Sequence, residues 1–336
     1  MWEIVNRTPY VADRCFARDE RGGEVWIVVV KGTFAIDAGE RVSVAPEQMG
    51  VVRAPLYAGE AGSSSLRYES DLVLDKPGTD ILVHGHVYAP RGAPTQRVDA
   101  GIRCGPIAKR IVAFGDRTYR TGLLEPKLSE SEPFTRLPLQ YERAFGGIDP
   151  LAPSAGRDEN NPIGVGLAAR PEHLVGRRAP NFELPEAMIT SWKQRPRPAC
   201  LGPIARDWMP RRAFAGTYDE AWRREQMPLW PRDFDRRFFH AAPLDQQAPT
   251  YVREGTRVEL LNLSPEGMLR FELPRTRPVF TTWLGWRTVE HRPRLHTVIV
   301  EPDERRVILV WHTALPCQGR EHRLEKTLIR EKAYVG

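Results

Sequence analysis

The chain has 336 residues, 41% hydrophobic and 27% charged, which fits a folded protein with a sizeable core and is long enough for one large domain or two ordinary ones. No apolar run approaches the ~18–20 residues of a membrane-spanning helix; the longest, Val25–Val30, is far shorter. The net charge of +6 comes from basic pairs such as Lys109-Arg110, Arg211-Arg212 and Arg236-Arg237 with acids between them. That pattern gives little support to nucleic-acid binding, and an acidic protein partner accounts for it equally well.

The first part of the chain reads as β. Glu24–Ile36 is β-branched and aromatic and closes at Asp37-Ala38-Gly39, so it predicts a strand and a turn. Arg41–Val44 begins a short strand. Ser65–Leu74 alternates and breaks at Lys76-Pro77-Gly78-Thr79-Asp80, a turn by its Pro-Gly pair. Ile81–Tyr88 reads as one strand, and Arg97–Cys104 with Lys109–Phe114 as a further pair.

The middle differs. Residues 126–250 hold 17 of the 30 prolines, together with Trp192, Trp208, Trp222, Trp230, Phe234, Phe238 and Phe239. Proline fixes φ and removes a donor, so no long helix or central strand runs through such a stretch. A disordered linker would lack the aromatics. An ordered, irregular, aromatic-pinned surface suited to binding is the expectation. Asp219–Met227 is the best helix, with Thr217 or Asp219 as its cap and Pro228 as its stop.

The last part returns to β. Arg257–Leu261 and Met268–Leu273 form a hairpin-like pair. His296–Val300 and Val307–Trp311 form a second. Leu324–Tyr334 fits either an amphipathic helix or an edge strand. The fold class expected is mainly β: a β-sandwich-like body with a long proline- and aromatic-rich irregular centre and few short helices. It is read as a single domain over 1–336, with β-rich parts at 1–125 and 251–336 around the loop region 126–250.

Chemical motifs are sparse. Cys15, Cys104, Cys200 and Cys317 are far apart and read as reduced thiols. Met1–Asn6 carries no basic stretch followed by an apolar one, so the cytoplasm is the expected location. His84 and His86 would share one face of a strand, but zinc wants further ligands, for which Asp71, Asp80 and His240 are available. Asp71, Asp75 and Asp80, or Asp233 and Asp235, offer paired carboxylates for glycoside hydrolysis. Most of these acids also sit in turns or beside Lys or Arg. Gly146-Gly147 is no phosphate loop, and no Gly-x-Ser-x-Gly elbow occurs. Asn160-Asn161-Pro162 and Pro180-Asn181-Phe182-Glu183 read as fixed loops whose side chains satisfy backbone groups that prolines leave open.

A series of stretches in one order carries a resemblance. They are Asn6–Tyr10, Lys31-Gly-Thr-Phe34, Tyr68–Leu72, Lys76–Asp80, Val112–Arg117, Tyr141–Gly147, Asn160–Gly164, Pro180–Glu183, Trp208–Arg211, Gly216–Trp222, Pro228–Phe239 and Ala241–Gln247. Together they resemble a bacterial family first catalogued as a domain of unknown function and tied to type VI secretion. Cys200-Leu-Gly-Pro stands where that family is expected to have a Gly-Phe-Gly-Pro-like run. The resemblance implies a cytoplasmic adaptor or chaperone. It would recruit a toxic effector, often with a PAAR-like region, and help load it on the VgrG spike, without catalytic residues, metal or cofactor.

The candidate partner-binding or motif residues are Asp71, Lys76, Asp80, Arg143, Asn161, Asn181, Glu183, Trp208, Arg211, Trp222, Trp230, Asp233 and Phe234. Arg143, Arg211 and Asp233 are expected in ion pairs that lock the central loops. The four aromatics are either core pins or binding anchors, with core packing favoured. Two rivals to the adaptor reading stand: a carbohydrate-active or metal-dependent hydrolase using the aspartates or histidines, and a structural component carried into the secreted particle.

Overall fold

The computed structural model describes residues 2–331. The chain is mainly β. Its body is built from three larger sheets, and among the described residues Glu220–Glu225 is the one α-helix.

The Glu24–Ile36 strand organises the body. It pairs antiparallel with Val11–Arg18 on one side and with Arg306–Pro316 on the other. Arg294–Glu301 and then Asp80–Val83 complete the row, and Val42–Val44 adds to the far end of Glu24–Ile36. Alternate side chains of a strand face opposite ways. Trp26, Val28 and Val30 therefore enter the main core, while Val25, Ile27 and Val29 pack on the other side with Leu74, Trp230 and Phe239. The sheet is buried on both faces, which is why Val25–Val30 is an uninterrupted apolar run rather than an alternating one.

Two further sheets close the front. One is five-stranded: Phe182–Glu183, Ile107–Phe114, Arg97–Cys104, Arg257–Leu261 and Met268–Glu272. The other orders Glu3–Asn6, Leu324–Glu331, Pro278–Leu284 and Arg287–His291. Phe34, Ile102, Ile111, Leu260, Phe280 and Ile329 from the three sheets meet in one core. The β-rich ends thus interleave: Arg97–Cys104 pairs with Arg257–Leu261, and Asp80–Val83 with Arg294–Glu301.

Several expectations are corrected. Leu324–Glu331 is a strand but not an edge; it runs between Glu3–Asn6 and Pro278–Leu284, and the last residues of the expected element lie outside the described residues. Ile81–Tyr88 is two strands, Asp80–Val83 and His86–Tyr88. They part at Gly85, whose φ of +150° few side-chain-bearing residues adopt. His84 and His86 consequently do not share a strand face. Only Leu66–Tyr68 of the alternating run 65–74 is a strand, because the rest crosses the back of the six-stranded sheet, where Leu72 and Leu74 pack. The hairpin Pro278–Leu284 with Arg287–His291 was not anticipated, although Thr, Phe and Trp are dense there and Gly285 takes the left-handed turn position at φ +61°.

Candidate functional site

The central segment has few ladder hydrogen bonds, so side chains hold its backbone. Asn161 is fully buried and its Nδ2 donates to the carbonyls of Tyr141 (2.8 Å) and Phe145 (3.0 Å). Asn181 Nδ2 donates to Phe114 O (3.0 Å). Gln246 Nε2 donates to Ile81 O and Leu201 O, tying the segment to the sheet edge.

Buried charges staple the loops further. Asp71 accepts from Lys31 Nζ (2.9 Å), in the middle of the Glu24–Ile36 strand, and from Val52 N (2.7 Å). Asp80 is fully buried. Its Oδ2 meets Lys76 Nζ (2.6 Å) and Ala241 N (2.8 Å), and its Oδ1 meets His240 Nδ1 (2.6 Å). Burial alone would raise the Asp80 carboxyl, but Lys76 and His240 outweigh it and hold it well below the usual carboxylate range. Lys76 also donates to Thr297 Oγ1 (2.9 Å). The turn between them is tight: a Cβ on Gly78 would stand 1.9 Å from Ala248 O, so only glycine fits.

Arg211 is almost wholly buried and donates to Glu69 Oε2, Ile204 O (2.9 Å) and Phe238 O (2.9 Å). Arg206 grips the other oxygen of Glu69 (2.9 Å). Burial pushes Glu69 up, and the two arginines bring it below its usual value. Glu183 pairs with Arg117 and accepts from Ile189 N (2.8 Å). Arg143 reaches Asp116 (3.0 Å) and Asn181 Oδ1 (3.1 Å). Arg143 and Arg211 thus form the ion pairs expected of them. Asp233 forms none among the described residues: it accepts from Thr217 N (3.0 Å) and Oγ1 (2.7 Å), fixing a turn where Gly216 takes φ +81°.

The aromatics divide by position. Trp208 is a core pin, 3% exposed and edge-on to Tyr141. Trp230 and Phe234 lie 4.4 Å apart between ring centres, and Trp230 and Phe239 rest on the back of the central sheet. Residues 214–239, to which these rings belong, form an arm over that face of the sheet. Asp219 caps its helix by accepting from Trp222 N (2.8 Å), and Trp222 Nε1 donates to Leu229 O (2.9 Å). Tyr218 stacks edge-on against Trp222 (4.7 Å). Tyr218 and Met227 are 56% and 60% exposed. A cavity of about 360 Å³ opens between Glu20, Gln226, Trp230, Arg232, Phe234 and Arg236. We expect Asp219→Ala to cost about 1 kcal/mol locally. Amide exchange at Trp222 would quicken while the global unfolding midpoint stays put; unchanged exchange would show the cap to be idle.

His84 and His86 line a different cavity, of about 310 Å³, with Glu301 and Asp303. The acids there are engaged: Glu301 by Tyr68 and Arg306, Asp303 by His86 (2.6 Å) and Tyr88 (2.8 Å). Asp80 and His240 bond to each other and Asp71 bonds to Lys31, so these three candidate ligands are committed elsewhere. Among the described residues no three His, Cys, Asp or Glu side chains converge on a point that would hold a metal ion. All four cysteines are free thiols.

Sequence reasoning missed Glu69, Lys31, Arg117 and His240 as the partners of the residues it chose. Glu69 and Lys31 lie inside quoted motifs, Tyr68–Leu72 and Lys31–Phe34, so the signal was present. No helix among the described residues is long and apolar enough to cross a membrane. No curated protein and no solved structure matches the chain. The model of a family described as an uncharacterized protein conserved in bacteria, DUF2169, matches residues 21–312. That span is most of the chain and takes in the five-stranded sheet, most of the six-stranded one, the stapled loops and the arm, so the protein belongs to the DUF2169 family.

Proposed function

We propose that this protein is a cytoplasmic adaptor that binds a type VI secretion effector and assists its loading onto the VgrG/PAAR spike. The observation that carries the binding role is the arm at 214–239. Its inner side is anchored on the sheet by Trp230 and Phe239, and its outer side offers Tyr218 and Met227 to solvent. Exposed apolar groups on a braced element suit recognition, because little ordering entropy is lost on binding. The ordered series of motifs, from Asn6–Tyr10 to Ala241–Gln247, supports the type VI assignment. Buried charges are consistent with a scaffold role: they fix loops and leave the arm's face free.

The test is a tagged pull-down from the native bacterium with mass spectrometry. We expect stoichiometric recovery of one large toxin-like protein, with or without a spike protein. Tyr218→Ser/Met227→Ser should cut that recovery by about tenfold without changing the unfolding midpoint. Recovery of nothing above background from the wild type would overturn the adaptor reading.

A further inference from the structure

A short hairpin between the motifs Val112–Arg117 and Tyr141–Gly147 carries chemistry that the arm does not. Tyr119–Arg120 pairs with Lys127–Leu128, and the chain between them turns at 122–125. Leu123 and Leu124 stand at that tip, each 95% exposed. Single apolar side chains on a surface are ordinary; two adjacent ones on a projecting tip form a patch that asks for a partner. Arg120 and Lys127 face each other across the base of the tip, both exposed, and neither makes an ion pair or side-chain hydrogen bond among the described residues. The one acid between them, Glu125, is turned back to accept from Ser191 Oγ (3.0 Å).

The tip is also held in shape. A Cβ on Gly122 would lie 2.1 Å from Glu125 O, so the turn closes tightly on itself. Beneath it Tyr119 and Leu128 pack with Leu174, Ala179 and Trp192. A bare apolar knob, presented rigidly and flanked by two free cations, is complementary to a concave apolar pocket with an acidic rim. We propose that Leu123 and Leu124 dock into such a pocket on a protein partner. That partner is the client of the adaptor reading, on which this inference rests. A fixed shape favours a protein pocket over a lipid surface, which needs no preformed knob and which two leucines with two cations would engage only shallowly. The cations steer and orient the approach.

The experiment compares the full-length tagged wild type with Leu123→Ser/Leu124→Ser and with Arg120→Glu/Lys127→Glu, all purified from the native bacterium. We expect the leucine variant to retain the wild type's stoichiometric client at least about tenfold less, with an unchanged unfolding midpoint. The charge variant should weaken retention and flatten its salt dependence. A benzophenone side chain placed at position 124 should cross-link to that same client. Equal retention by wild type and leucine variant overturns the knob and leaves the adaptor standing. No client on the wild type overturns the adaptor reading and this inference with it. Binding of the wild type to phosphatidylglycerol-containing vesicles that the leucine variant loses, with client retention unchanged, assigns the tip to membranes and overturns the protein pocket.

Discussion

Asp80→Ala is expected to be among the most destabilising single substitutions in this protein, costing about 3–5 kcal/mol. The carboxylate is fully buried and serves three donors: Lys76 Nζ, Ala241 N and His240 Nδ1. Removing it leaves the Lys76 ammonium, itself 4% exposed, with its hydrogen bond to Thr297 Oγ1 and the Ala241 amide without an acceptor. An uncompensated buried charge is the costliest outcome of breaking an ion pair. A protein of this class is stable by roughly 5–15 kcal/mol, so the loss is a large share of the total. The damage would also be local in a telling way. Ala241 N and the Thr79 O–Ala248 N bond (2.8 Å) fasten the end of the central segment to the start of the Asp80–Val83 strand. Denaturant unfolding of Asp80→Ala, Lys76→Met and the double variant checks the argument. The double variant should be less damaged than the sum of the singles, because it removes the stranded charge. A midpoint for Asp80→Ala close to that of the wild type would refute it.

Much of the β framework was legible, for identifiable reasons. Glu24–Ile36 announced itself through β-branched residues and a turn, and the hairpins at 257–273 and 296–311 through turn residues between apolar runs. What was not legible was position within a sheet. Leu324, Thr327 and Ile329 face inward from a strand, yet Leu324, Thr327 and Leu328 have the spacing of one side of a helix. Only the neighbours at Glu3–Asn6 and Pro278–Leu284, far away in sequence, decide the matter. The same limit applies to charge. Arg211 was recognisable as a candidate for pairing, but Glu69 lies 142 residues before it and nothing local links them. Asp233 sits beside Arg232 and was read as an ion-pair partner; its oxygens instead close the turn at Thr217, a commoner task for an aspartate in a loop. The knob at Leu123-Leu124 escaped notice because two leucines read as ordinary apolar residues until the structure leaves them uncovered.

Stability is expected to fall steeply as pH drops from about 6.5 toward 4, before the buried carboxylates protonate. His296 and His312 are fully buried and stacked, ring centres 4.2 Å apart, with Tyr251 stacked on the far side of His296. His296 is the bulged residue of its strand: Leu295 pairs with Trp311 and Thr297 with Val310. His312 Nε2 lies 2.6 Å from Val73 O, and the Nδ1 atoms of both rings are buried without a partner among the described residues. A proton added at either Nδ1 would sit unsolvated, and a second would be repelled across the stack. Burial lowers His296 from 6.5 to about 4 against the pull of Asp75, with Lys76 and Arg294 also opposing the charge. His312 is held well below its ordinary value by burial and by His296. His291, bonded through Nδ1 to Thr313 Oγ1 (3.0 Å), is lowered by burial to about 4. All three are therefore neutral in the fold and protonate in the unfolded chain below about 6.5. The unfolded state then binds more protons, so stability is present above 6.5 and is lost as pH falls toward the folded-state values. Asp75 and Asp80 act in the same direction but at lower pH: both are lowered, stay charged through this window and give up their contribution only below about 3.8. The three histidines together should cost on the order of 5 kcal/mol between pH 7 and pH 4.5. Urea unfolding at the two pH values measures it. His312→Gln keeps a donor for Val73 O but cannot protonate, so its pH slope should be shallower than the wild type's. Equal midpoints at pH 7 and 4.5 would mean that acid finds these rings another way out, through a local opening that leaves the rest of the sheet intact.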